Sequence, residues 1–284
     1  MNIILGTAQF GQSYGIKDKF KSIDEEEASK LIETAKKNKI KIFDTSPEYG
    51  KSYTYLNQNK FKDLKIISKF PKIKSSSNFG RAFDEFIEDL SKNFKISEIY
   101  CILFHDISIL KTENGKKIWQ IFLELKKQDF VKKIGFSIYG PDDLDLIFNK
   151  FRPDIIQGPF NIFDRRIEKT GWLDKLHKEG VHFHARSIFL QGLLLMDENN
   201  MPKAFRNWSK NFNAWHHWLK ENKLKPIEGC IGLVNKDERI SKVVVGIKSN
   251  EQFAELINLW KKIRSVPPEF LASGDENLIN PSLW

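Results

Sequence analysis

Asp44 and Tyr49 share the stretch FDTSPEYGKS at positions 43 to 52, Lys69 follows in ISKFP and His105 in ILFHD. Each closes or follows an apolar run. A phenol loses its proton near pH ~10, so Tyr49 is a useful acid at neutral pH only if neighbours stabilise its phenolate. Lys69 supplies that positive charge. Asp44, paired with it, holds the ammonium charged and aimed, and His105 is suited to hydrogen-bonding a substrate oxygen. Taken singly, each has a plainer role: Asp44 as a turn cap, Lys69 as a strand-end surface charge, His105 as a core histidine, Tyr49 as packing. Together, at successive strand ends, they read as a proton-donating set.

The elements that must position them are short β-branched runs alternating with charged amphipathic segments, the pattern of strand-helix units around a parallel sheet. Eight strands are predicted, at 2–8, 40–46, 64–70, 99–106, 131–139, 154–160, 181–189 and 242–248. Helical spacing puts Ala28, Leu31, Ile32 and Ala35 on one face of 25–39, and Phe79, Phe83, Phe86, Ile87 and Leu90 on one face of 79–94. A third helix, over 249–263, has Ser249 as its cap and Phe253, Leu256, Ile257 and Trp260 inward. Eight such units in 284 residues predict a (β/α)₈ TIM barrel, a single domain over 1–284, with chemistry at the C-terminal ends of its strands. The rhythm breaks over 190–225, read as a long loop and a tryptophan-rich helix from Phe205, and the tail at 265–284 is irregular, able to cover a barrel mouth.

Composition narrows the classes. Lys and Arg number 46 against 37 Asp and Glu, a net charge of +9, but they are spread through the chain, as on a lysine-rich solvated surface rather than a nucleic-acid stripe. Such a field also attracts an anionic substrate or a cofactor phosphate. Cys101 and Cys230 each sit in an apolar run, which fits a reducing compartment, not a disulfide framework. No run approaches the ~20 apolar residues of a membrane span. A cytoplasmic protein without membrane, nucleic-acid or metal partners is expected; the oligomeric state is left open.

The chain resembles the aldo-keto reductases from LGTAQFG at 5–11 to VVGIKSNEQFAEL at 244–256. FDTSPEYGKS is similar to that family's Asp-Thr-Ala-x-x-Tyr-Gly signature, and the resemblance makes Asp44, Tyr49, Lys69 and His105 its catalytic tetrad. It also implies a nicotinamide cofactor lying across the barrel mouth, in keeping with the absence of a G-x-G-x-x-G after any strand. Gly6 and Thr7 then approach the nicotinamide ribose, with Asp44 beside them, and Gln157 and Ser137 hold the carboxamide. Ile138 replaces the family's asparagine after that serine. Arg186 occupies the position of an aromatic that stacks on the nicotinamide ring, where its alternative is a strand-end salt bridge; a guanidinium also stacks but brings charge. Ser187, Phe189, Gln191 and Gly192 follow along the diphosphate. Gly246 falls in the adenosine site, Lys248 and Ser249 at its 2′-phosphate, and Gln252 and Glu255 at the adenine, Gln252 where the family often has Arg or His and Leu256 where it has Asn. NADPH is the expected cofactor, with NADH as the alternative.

The expected reaction is reduction of a small-molecule carbonyl, with Tyr49 as the proton donor. RSIFLQGLLL resembles a bacterial branch found among surface-polysaccharide genes, which implies a sugar or sugar-nucleotide carbonyl. Phe10, Tyr139, Phe160 and the tryptophans of 205–223 are the expected pocket walls. Two other readings stay open: a cofactor-binding regulatory subunit like the family's potassium-channel beta subunits, and use of a bound cofactor for epimerisation or elimination without net redox.

Overall fold

The computed structural model describes residues 1–11, 22–72, 79–262 and 265–284. Eight parallel strands close into one barrel in sequence order: β1 Ile3–Gly6, β2 Ile42–Asp44, β3 Lys65–Phe70, β4 Ile99–Phe104, β5 Lys133–Ser137, β6 Ile155–Pro159, β7 His182–Arg186 and β8 Ile240–Gly246. β1 pairs with β8 through Ile3–Val243 to Gly6–Gly246, which completes the (β/α)₈ ring. All eight expected strands are present, with different ends. β2 stops at Asp44 because Ser46 turns to accept from the Tyr49 N–H. β7 stops at Arg186 because Ser187 is left-handed, with φ of +57°. β8 starts and finishes two residues before its expected bounds, so Ile247 and Lys248 belong to the loop at the mouth.

The helices are α1 Glu25–Lys37, α2 Ser52–Gln58, α3 Phe79–Asn93, α4 Glu113–Lys127, α5 Asp142–Phe148, α6 Arg166–Lys169, α7 Trp172–Lys178, α8 Ser209–Glu221, α9 Pro226–Asn235, α10 Asn250–Trp260 and α11 Glu276–Ile279. α1 shows why they form: Asp24 accepts from the Glu27 N–H, acidic residues fill the first turn and Lys36 and Lys37 the last, complementing the helix dipole. It buries the four residues its period selects. α10 does likewise under the Ser249 cap, and α3 buries Phe86 and Leu90 with Phe83 and Ile87 at the core's edge. The Phe79 side chain and Ile263 lie outside the described residues.

The tryptophan-rich segment is not one helix. Residues Lys203–Trp208 wind as a tighter 3₁₀ turn, and α8 begins only at Ser209. The Trp208 indole donates to Asp275 at 2.7 Å and Phe205 lies edge-on to Trp284, so tertiary contacts with the tail hold that turn apart from the helix. The tail is ordered too. Arg166 donates to Glu276 at 2.9 Å, and the Ser273 N–H donates to the Phe163 carbonyl at 2.8 Å, which seats α11 against the barrel mouth.

Candidate active site

A cavity of about 960 Å³ opens at the C-terminal ends of the strands. Asp44, Tyr49, Lys69 and His105 all line it.

The turn after β2 presents Tyr49. Gly50, at φ of +51°, packs against Gly11, at φ of +77°, so closely that a Cβ on Gly50 would come within 2.9 Å of Gly11 backbone atoms. Glycine is needed there for both conformation and space. Below the turn, the Ser52 hydroxyl is within 2.7 Å of the Thr45 hydroxyl and 2.5 Å of the Thr7 hydroxyl, and Thr7 donates to the Asp44 carbonyl at 2.9 Å. This buried hydroxyl cluster ties the end of β1, the end of β2 and α2 together under the tyrosine.

Lys69 is 2% exposed and donates to Asp44 Oδ1 in a buried ion pair. The other Asp44 oxygen accepts from Gln157 Nε2 at 2.7 Å, so the carboxylate is held from both sides. Lys69 Nζ sits 5.0 Å from the centroid of the Tyr49 ring. Burial pulls the lysine's pKa down, but the Asp44 charge and the interaction with Tyr49 outweigh it, and the net shift is upward. Lys69 therefore stays an ammonium at neutral pH, beside the tyrosine. His105 meets the Tyr49 ring edge-on at 6.2 Å, and its Nδ1 lies 2.8 Å from Glu48 Oε2.

The other expected residues gather around the same cavity. Gly6, Ser137, Gln157 and Arg186 line its floor and side, Ser187, Phe189, Gln191 and Gly192 follow, and Gly246, Lys248, Gln252 and Glu255 line the far end. Two expected cofactor contacts do not line it. Thr7 is fully buried in the hydroxyl cluster, and the Ser249 side chain caps α10 through the Gln252 N–H at 3.3 Å. Of the expected aromatic walls only Tyr139 is there. Phe10 and Phe160 are fully buried, Phe160 edge-on to Phe183, and Trp215 stacks on Trp218 while donating to the Leu194 carbonyl. These rings are core because the mouth is walled instead by Phe189, Leu195, Met196 and, from the tail, Ile279 to Ser282. Gln9, Arg166 and the tail residues were not singled out from sequence. The opposite charges of Asp164 and Arg166, two positions apart, were a usable signal; of the tail, only its ability as a segment to cover the mouth was expected.

Arg186 forms no salt bridge among the described residues. Its guanidinium lies 5.1 Å over the Tyr139 ring and donates to the Ile138 carbonyl at 2.8 Å, while its Nε is buried without a partner. Gln157 Oε1 and Gln9 Oε1 are likewise buried and unpaired. Buried polar atoms seldom stay unsatisfied, so three of them around one cavity mark a place for a polar ligand. After β7, Ser187, Leu190, Gln191 and Gly192 all have positive φ, turning the backbone in the manner that presents N–H groups to anions. The residues present therefore fit a nicotinamide nucleotide: an amide acceptor in Gln157, a turned backbone and Lys248 for phosphates.

Comparison with known proteins agrees with the fold. Similar solved structures include the holo form of aldo-keto reductase AKR11C1 from Bacillus halodurans, at TM-score 0.77 and 15% identity over 100% of this chain and 95% of that one. Another, described as a putative aldo-keto reductase from Pseudomonas aeruginosa, has TM-score 0.64 and 17% identity over 91% and 89%. At such identities the likeness concerns fold alone. No curated protein matches by sequence. The profile of the Aldo/keto reductase family matches residues 2–276, so the chain belongs to that family of NAD(P)H-dependent oxidoreductases.

Proposed function

We propose that this protein reduces an aldehyde or ketone with NADPH, using Tyr49 as the proton donor. The observation that carries this reading is the buried Lys69 ammonium, held by Asp44 on one side and facing the Tyr49 ring on the other. When bound, the nicotinamide supplies hydride to the carbonyl carbon. Tyr49 gives its O–H proton to the carbonyl oxygen as that oxygen gains charge, and the phenolate left behind faces Lys69. Asp44 keeps Lys69 protonated and in place through a bond that Gln157 braces. His105 holds the carbonyl oxygen beside the tyrosine, which supplies orientation before the step begins.

Gly6, Ser137, Gln157 and Arg186 would hold the nicotinamide end, Ser187 to Gly192 the diphosphate, and Gly246, Lys248, Gln252 and Glu255 the adenosine. Lys248 at the mouth favours the 2′-phosphate of NADPH. Polar lining from Asp197, Asn280 and Ser282, in the cavity that Tyr139 also lines, suits a hydroxylated substrate, which supports a sugar or sugar-nucleotide carbonyl. Two buried thiols, both free and both pushed up by burial, are consistent with work in a reducing cytoplasm.

Tyr49→Phe tests the reading. Turnover of NADPH with a panel of aldehydes and keto-sugars should fall by about 10²–10⁴-fold, the usual contribution of a general acid, while NADPH affinity by fluorescence titration stays within about twofold. Undiminished carbonyl reduction by the variant would sink the assignment.

A further inference from the structure

Three of the cations that line the cavity stand against carboxylates: Lys69 against Asp44, Lys225 against Glu255 at 3.3 Å, and Arg166 against Asp164 and Glu276, each at 2.9 Å. Arg186 does not. Among the described residues no carboxylate comes within ion-pair distance of it, Asp197 of the lining included. Its contacts are with neutral groups: the Ile138 carbonyl at 2.8 Å, the Ser187 hydroxyl at 3.3 Å and the Tyr139 ring at 5.1 Å. A guanidinium is permanently charged and carries five N–H donors. Two of them serve those oxygens, and Nε–H is buried without an acceptor. Taking a charge partly out of water without a counter-charge is unfavourable, and a bound anion would offset it.

Arg186 closes β7, opposite Pro159 at the end of β6, and its Nη2 reaches across to the Ile138 carbonyl just past the end of β5. The side chain thus spans the end of β6, the strand whose Gln157 braces Asp44. In the placement proposed above this is the nicotinamide end of the cavity, where the reacting carbonyl must also lie. A nicotinamide carries no anionic group and its oxidised ring is itself a cation, so that end of the cofactor offers a guanidinium no counter-charge. We infer that Arg186 is a specificity-determining residue that selects a carbonyl substrate bearing a carboxylate or a phosphate, groups whose paired oxygens match the fork of a guanidinium. This rests on the carbonyl-reduction reading above and narrows its substrate class. A sugar acid or a sugar nucleotide meets the requirement; an uncharged sugar or a plain aldehyde does not. The bonds to Ile138 and Ser187 and the Tyr139 ring hold the guanidinium in place before a ligand arrives, so little side-chain freedom remains to be lost on binding.

The test compares charged and neutral members of matched pairs in the full-length protein with NADPH: 3- and 4-carboxybenzaldehyde against their methyl esters, and glyceraldehyde 3-phosphate against glyceraldehyde. The readout is the ratio of kcat/KM within a pair, in which any general loss through the cofactor cancels. In at least one pair the wild type should favour the charged member, mainly through KM, and Arg186→Gln should lower that ratio by about tenfold or more, as loss of hydrogen bonds to a charged group does. The pair affected tells carboxylate from phosphate. Arg186→Lys keeps the charge and loses the fork, so its ratio should fall between the two, and it carries the test if the glutamine variant does not fold. Equal ratios in wild type and variants, with the neutral aldehydes still reduced, overturn the inference and leave the carbonyl-reduction reading standing. Weakened NADPH affinity with unchanged ratios also overturns it, and assigns Arg186 to a cofactor phosphate. A wild type that reduces none of these aldehydes removes the reading and the inference with it.

Discussion

The two ends of the barrel interior differ over a single two-residue step of the same strands. Ile42 precedes Asp44, Ile67 precedes Lys69, Leu103 precedes His105 and Ile155 precedes Gln157. Ile67, Leu103 and Ile155 join Ile4 and Cys101 in a dry apolar cluster, with Ile42 packed against it, while their polar partners line the mouth. One such step is about 6.6 Å. The lower layer excludes water and gives the barrel a packed centre; the upper layer concentrates an ammonium, a carboxylate, a phenol and an imidazole where a ligand can reach them. The buried pair is tolerable because its carboxylate is bonded on both oxygens and its ammonium stands directly above an apolar floor that cannot compete for it.

The comparison breaks first at Lys69. Lys69→Met leaves Asp44 buried and without its cation, with an expected loss of about 3–5 kcal/mol in stability by urea unfolding together with loss of turnover. Adding Asp44→Asn should recover much of the stability and none of the turnover; recovery of turnover would mean that the pair is only structural. One layer down, Ile67→Ala should cost about 2–4 kcal/mol, as a cavity in a close-packed core does. Its kcat should stay within a few fold, since no polar group moves. A Tm unchanged by Ile67→Ala would show that the floor is not packed as described.

His184 sharpens the contrast at low pH. It is buried on β7, beside Gln157 of β6 in register, with Nδ1 unpaired. Burial first, then the charges of His182, Lys242 and Lys133, pushes its pKa down to about 3. An unfolded chain protonates the same imidazole near pH ~6.5. Between those values the unfolded state binds more protons, so the stability this residue contributes is complete above ~6.5 and is lost as pH falls toward 3. At pH 5 the loss is on the order of 2 kcal/mol. His184→Leu should flatten the melting temperature between pH 7 and 5 relative to wild type, and an equally steep fall in both would remove His184 as the cause.

Much of this arrangement was legible beforehand, for a local reason. A strand buried on both faces reads as a continuous apolar run, and the run breaks where the strand end reaches the mouth, so Asp44, Lys69 and His105 announce themselves. Tyr49 is marked by the proline and glycine turn that carries it. The amphipathic faces of α1 and α10 were equally plain, because helical period alone selects Leu31 or Leu256 for the core. The role of Thr7 was not, whereas Ser249 caps α10 as its place before that helix suggested. A small hydroxyl at a strand end serves a ligand, a neighbouring hydroxyl or a backbone N–H equally well, and which of these lies nearest depends on an element distant in the chain, here Ser52 on α2. Aromatic side chains are ambiguous in the same way. Trp215 and Phe160 fill the core because the wall they were expected to form is supplied by the tail.

By itself, the sequence determined which residues turn inward, that eight strands alternate with helices and which chemical groups stand near the strand ends, since all three follow from periodicity and local backbone preference. Only the tertiary structure decided what those groups meet. Closing β1 onto β8 brings Gln157 to Asp44 across 113 positions and seats Glu276 on Arg166 across 110. A carboxylate bonded on both oxygens and a tail drawn over the mouth are products of barrel closure, because contacts at such separations form only when the whole ring does.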